Sequence, residues 1–160
     1  IFGAYLSTLL DEHADKMTTY VRDFAEQGKA STAADFVASL ETITEMYLTL
    51  GPVLQKYDVF ICPTNATTAV PAEHDHTKDR VLINGKDVSP TLGWAMTTPF
   101  NMQSRCPVLS VPSGHASNGV PTGIQIVGRT YCDADVFRAA MAFETAVGGW
   151  YGSAATRPNL

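Results

Sequence analysis

Residues 99–129, PFNMQSRCPVLSVPSGHASNGVPTGIQIVGR, constrain this chain more than any other stretch. Val108 to Val111 (VLSV) is a short apolar, β-branched run, closed by Pro112. Gly123 to Val127 (GIQIV) is a second such run, closed by Gly128. Both read as strands suited to a buried sheet. The link PSGHASNGVPTG is dense in Pro, Gly, Ser and Asn, the residues that favour turns. Two strands joined by a long, stiffened loop build a sheet core and its rim. By themselves they supply no nucleophile.

The remaining segments are mostly helical. Residues 1–28 carry apolar stripes at Tyr5, Leu6, Leu9 and Leu10, then at Met17, Tyr20, Val21 and Phe24, with Gly28 as a stop. Ser31 or Thr32 caps a long helix reaching about Lys56. Gly51-Pro52 is expected to kink or restart it. Asp58 to Cys62 suits a buried strand ended by Pro63-Thr64. Residues 65–80 read as a polar loop. Asn84-Gly85 marks a tight hairpin. Leu92 to Thr98 reads as a short helix entering a turn at Phe100-Asn101. Asp133 or Asp135 opens a last helix whose buried face is Val136, Ala139, Ala140 and Phe143, and Gly148-Gly149 end it. The tail to Leu160 is expected to lie over the surface. The fold class is therefore α/β, a mixed β-sheet flanked by helices. Helices occupy about 3–56, sheet and loops about 57–130, and the last helix about 133–147. So few strands in 160 residues leave open sheet edges, which fits a sheet completed by further sequence.

Composition narrows the partners. With 45% hydrophobic and 17% charged residues the chain is globular. A net charge of -5 with scattered Lys and Arg argues against a nucleic-acid surface. No apolar run approaches a membrane span, so no membrane partner is expected. Cys62, Cys106 and Cys132 show no disulfide spacing, and reduced thiols imply a cytoplasmic protein. The chain opens on Ile1, so a trimmed product or a fragment is the expectation.

The ordered motifs resemble those of the amidase signature hydrolases. That family shows a P-F-N run, here Pro99-Phe100-Asn101. Its P-x-L-S-V-P-x-G segment matches Pro107 to Gly114, and its G-x-P-x-G-x-Q-I-V-G segment matches Gly119 to Gly128. YDVFICPT (Tyr57 to Thr64) and DADVFRAAMAFE (Asp133 to Glu144) match the flanking elements, so the likeness covers most of residues 32–150. One departure is Ser104-Arg105-Cys106 before Pro107, where many members have Gly.

The resemblance implies a serine acyl-enzyme amidase whose serine pair, lysine and oxyanion donors lie in an N-terminal half. No such serine run occurs here, so no catalytic residue is carried over. It places Trp94, Phe100 and Asn101 near substrate, Trp94 as an apolar wall and Asn101 as a hydrogen-bonding turn. The competing reading has Asn101 capping its own turn and Phe100 in the core. Trp94 stands where the transamidation subunits carry an acidic residue, which leans away from that branch.

Other constellations read as structural. Gln125 sits inside a strand and more naturally ties strands or loops together than touches substrate. Cys106 with His115 suggests a Cys-His hydrolase, but a small buried thiol is the simpler account. Glu73, His74, Asp75 and His76 lack metal-ligand spacing and read as a solvated loop, so no metal and no cofactor is expected. Tyr57-Asp58 reads as capping.

The chain is thus expected to be the C-terminal portion of an amidase, inactive alone. Its partners would be the N-terminal half and a small-molecule amide. A non-catalytic binding or scaffold module is the alternative, and the oligomeric state is open. A large exposed apolar face would favour the missing half.

Overall fold

Gly3 and Gly28 explain why the first thirty residues form a packed helical pair. The structure, a computed structural model, describes residues 2–148. Helices α1 (Phe2–Ser7) and α3 (Thr19–Ala30) pack together, joined through α2 (Leu10–His13) and one 3-10 turn (Ala14–Lys16). A Cβ on Gly28 would fall 2.0 Å from the Gly3 carbonyl carbon. Only a residue without Cβ fits there, so Gly28 serves packing and α3 runs two residues past it. This corrects the expected stop.

Helix α4 spans Ala33–Lys56. Thr32 and Asp35 cap it reciprocally. The Thr32 N–H donates to the Asp35 carboxylate at 2.8 Å, and the Asp35 N–H donates to Thr32 Oγ1 at 3.2 Å. Pro52 lies inside one uninterrupted element, so the helix does not restart at Gly51-Pro52.

The chain divides into two compact units. The first holds residues 2–44 with Ala69–Trp94. It contains the hairpin β2 (Val81–Ile83) and β3 (Lys86–Val88), turning at Asn84 (φ 49°) and Gly85 (φ 75°). Positive φ at both central residues is the mirror-type turn that matches strand twist. The Arg80 guanidinium grips the Asp87 carboxylate on the same hairpin.

The second unit holds Glu45–Thr68 with residues 95–148. Its sheet has the order β1-β5-β4, with β1 (Val59–Pro63), β4 (Val108–His115) and β5 (Pro121–Gly128). All pairings among the described residues are antiparallel, where a mixed sheet was expected. Helices with sheets make the chain mixed α/β.

Both strands of the opening stretch run longer than their apolar cores. Ladder pairing extends to His115 and Pro121, with an irregularity between Pro112 and Gly114. The expected long loop shrinks to residues 116–120. Proline tolerates this because it falls at edges. Pro63 and Pro112 lie on the outer strands and Pro121 opens β5, while the rest of this central strand holds no proline.

Strand alternation gives the sheet two faces. On one, Ile126 packs with Val136 and Ala140 of α6 (Asp133–Val147), together with Leu109 and Val111. On the other, Val127 packs with Leu54 and Cys106, together with Leu50, Phe60 and Phe100. Gly148 ends α6 at φ 87°, as expected. Gly149 and the tail lie outside the described residues.

Candidate functional site

Directly opposite residues of an antiparallel sheet share a face. Cys62, Gln125 and Ser110 stand in one such row across β1, β5 and β4. Gln125 is fully buried. Its Nε2 donates to the Pro63 carbonyl at 3.0 Å and to the Met96 carbonyl at 2.9 Å. Its Oε1 is buried with no hydrogen-bond partner among the described residues. A flipped amide would set oxygen against two carbonyl oxygens, so chemistry assigns this orientation. Gln125 therefore ties strand to loop, as the sequence suggested.

The loop it holds leads to α5 (Thr98–Met102). The Met96 N–H donates to the Thr64 carbonyl at 3.0 Å, and Ala95 bridges Asn65. Pro99 lies in the first turn of α5, where its missing N–H leaves no gap. This reverses the expected order. Residues 91–94 form turns, and the helix includes Phe100-Asn101 instead of preceding them. Phe100 packs on the core, 5.9 Å from the Phe60 ring centroid, and is half-buried. Asn101 is exposed on α5, with its N–H on the Thr97 carbonyl.

Trp94 belongs to the first unit, Phe100 and Asn101 to the second. The indole N–H of Trp94 donates to the Pro90 carbonyl at 3.4 Å. Its ring stacks with His76 at 6.5 Å between centroids, and His76 also meets Tyr20 and His74 edge-on. His74 Nε2 lies 3.1 Å from the Pro90 carbonyl, which only accepts, so Nε2 carries the proton. The expected solvated loop is instead a packed ring cluster. Alternation of ring-bearing side chains, His74 and His76, was the available signal. Asp75 between them is held down to about 2 by the Thr77 hydroxyl first and the Thr77 N–H second.

Among the described residues no group of three or more His, Cys, Asp or Glu is arranged to hold a metal ion. Cys106 is core, with Sγ 3.9 Å from Thr130 Oγ1. His115 ends the eight-residue strand that begins two residues after Cys106. That puts roughly 25 Å between them, so they form no Cys-His pair. Burial pushes the Cys62 thiol up, while the neighbouring Gln125 amide opposes this. Several hydroxyls are spent on structure. Ser7, Ser31 and Ser39 bond helix carbonyls, and Ser113 bonds Thr122 at 3.0 Å.

The amidase family model matches residues 5–137, which is most of the chain. The chain belongs to the amidase signature family. It is 32% identical over 119 residues to a fatty acid amide hydrolase of Medicago truncatula, covering 73% of this chain and 19% of that protein. It is 39% identical over 100 residues to a glutamyl-tRNA(Gln) amidotransferase subunit of Exiguobacterium sibiricum, covering 61% of this chain and 18% of that one. A bacterial aryl acylamidase of the amidase signature enzymes superposes with a TM-score of 0.73 at 29% identity, over 86% of this chain and 28% of its own. The chain thus spans about a fifth of the curated relatives it matches. No helix among the described residues is long and apolar enough to cross a membrane.

In the amidase signature frame, the P-F-N run is the start of α5, and the P-x-L-S-V-P-x-G and G-x-P-x-G-x-Q-I-V-G segments are the β4–β5 hairpin.

Proposed function

We propose that this chain is the C-terminal portion of an amidase that hydrolyses a carboxamide C–N bond through a serine acyl-enzyme. The serine, its proton-abstracting partner and the oxyanion donors belong to an N-terminal half. Serine oxygen adds to the amide carbonyl, the C–N bond breaks and the amine departs with a proton. Water then cleaves the ester to release the acid and restore the serine. The chain's own contribution is support and pocket shape. From the family resemblance, Trp94 of the first unit is assigned an apolar wall and, separately, Asn101 of the second an exposed amide, while Phe100 anchors α5.

The observation that carries this reading is family membership over residues 5–137. The apolar surface supports a missing half over a free-standing scaffold. Phe137 is 58% and Met141 68% exposed, along a groove that α6 forms with β4, an outer strand of the described sheet. Such surface beside an outer strand is suited to more protein. Fatty acid amides and aryl amides, named for two relatives, are both reasonable probes.

The test compares the full-length protein with the 160-residue chain on aryl and alkyl amides, with mass spectrometry to trap an acylated serine. We expect turnover and an acyl adduct from the full-length protein only. Turnover by the short chain, or an adduct on a cysteine, would overturn it. Asn101→Ala in the active protein should raise KM about tenfold if that amide meets substrate.

A further inference from the structure

We propose that Gln125 is a positioning residue of the substrate pocket, acting through its two amide donors on the segment that carries α5. The inference rests on reading Asn101 as part of that pocket.

The chain of contacts is short. Gln125 Nε2 holds the Met96 carbonyl at 2.9 Å and the Pro63 carbonyl at 3.0 Å. Met96 returns its N–H to Thr64, whose N–H bonds Gly123 at 3.0 Å on Gln125's own strand. Ala95 and Thr97 then receive the first N–H groups of α5, with Asn101 bonded to Thr97 at 3.0 Å. One buried side chain on the central strand thereby links the end of β1 to the start of α5. Sheet geometry sets where Met96 sits, and Met96 sets where α5 begins.

Two features single out the donors. The side chain has 0% exposure, so water does not substitute for either bond. Its Oε1 has no partner among the described residues, so the amide is held there by its N–H groups. A residue needed only to fill space would not require them. A residue needed as an acceptor would have its oxygen engaged.

The experiment uses the full-length enzyme with Gln125→Met, which keeps the shape and removes both donors, and Gln125→Glu, which has no donor when ionised and one when protonated. Val136→Ala, on the opposite face of the sheet, is the control for general destabilisation. With active sites titrated, we expect both Gln125 variants to raise KM about tenfold, with kcat per site changed less, and the control to leave both unchanged. The Gln125→Glu defect should shrink as pH falls, because a protonated carboxyl donates one hydrogen bond. Hydrogen exchange should quicken at the Met96, Phe100 and Asn101 amides in both variants, without matching change in α6. Wild-type-like KM and exchange in Gln125→Met, which has no donor at any pH, would overturn the proposal, as would exchange that quickens equally everywhere. The exchange arm needs no turnover. Failure of the amidase reading would show as an inactive wild type, while the exchange pattern still decides the role of Gln125.

Discussion

Gly28 approaches Gly3 so closely that the two backbones meet. A Cβ on Gly28 would lie 2.0 Å from the Gly3 carbonyl carbon and 2.3 Å from the Ala4 nitrogen. Backbone cannot swing aside as a side chain does. Gly28→Ala should therefore part α1 from α3 and destabilise that pair by about 1–3 kcal/mol, despite alanine's higher helix propensity. Hydrogen exchange resolved by segment is the check. Unchanged protection in α1 would refute the contact.

Gly128 and Val136 form a second close approach, between β5 and α6. A Cβ on Gly128 would lie 2.5 Å from Val136 Cγ2. Gly128→Ala should cost about 1–3 kcal/mol through overpacking. Val136→Ala, at a buried position, should cost about 2 kcal/mol through the lost methyls. The double variant should cost less than the sum, because each change makes room for the other. Strict additivity in urea unfolding would show that the contact is not shared.

Cys62 provides a reactivity prediction. Burial raises its thiol, and the Gln125 amide partly offsets that. The neutral thiol is favoured in the fold, so this contribution holds at low pH and fades as pH rises through the folded value. Iodoacetamide should label Cys62 more slowly than a free thiol at pH about 8. Its profile should be displaced to alkaline pH, and Gln125→Met should displace it further. An acid-shifted profile would contradict the assigned environment.

Asp75 is perturbed the other way. The Thr77 hydroxyl and N–H stabilise the carboxylate, 2.7 Å and 2.9 Å from Oδ1, and hold the group to about 2. Its contribution is present above the ordinary value of about 3.9 and is lost as pH falls through about 2. Thr77→Val removes the larger cause and should move the midpoint up toward the ordinary range. Carboxyl-carbon NMR shifts against pH would measure this. A wild-type midpoint near the ordinary value would count against the Thr77 contacts.

Much of the fold was legible in residue order. Thr32 and the apolar stripe behind it announced α4, Asn84-Gly85 announced the hairpin, and VLSV and GIQIV announced β4 and β5. Each is a local signal, since propensity, capping and turn chemistry act within a few residues, and it does not tell the outer strand β4 from the central strand β5. The ends of elements were less legible. Gly28 looked like a stop because its packing partner is 25 positions away. Phe100-Asn101 looked like a turn because nothing local reveals that Met96 is clamped by Gln125. His74 and His76 looked solvated because their ring partners, Tyr20 and Trp94, are remote in the chain.

The sequence alone determined the family, the helix-and-strand content and the strong turns, because these follow from ordered motifs and short-range chemistry. Tertiary structure alone decided which glycine packs and which stops, and that Cys106 and His115 lie at opposite ends of β4. It also decided that strand pairing carries past Pro112, and that one buried amide joins the sheet to α5. These depend on what meets across the fold, where close approach and burial set the energy and sequence separation does not.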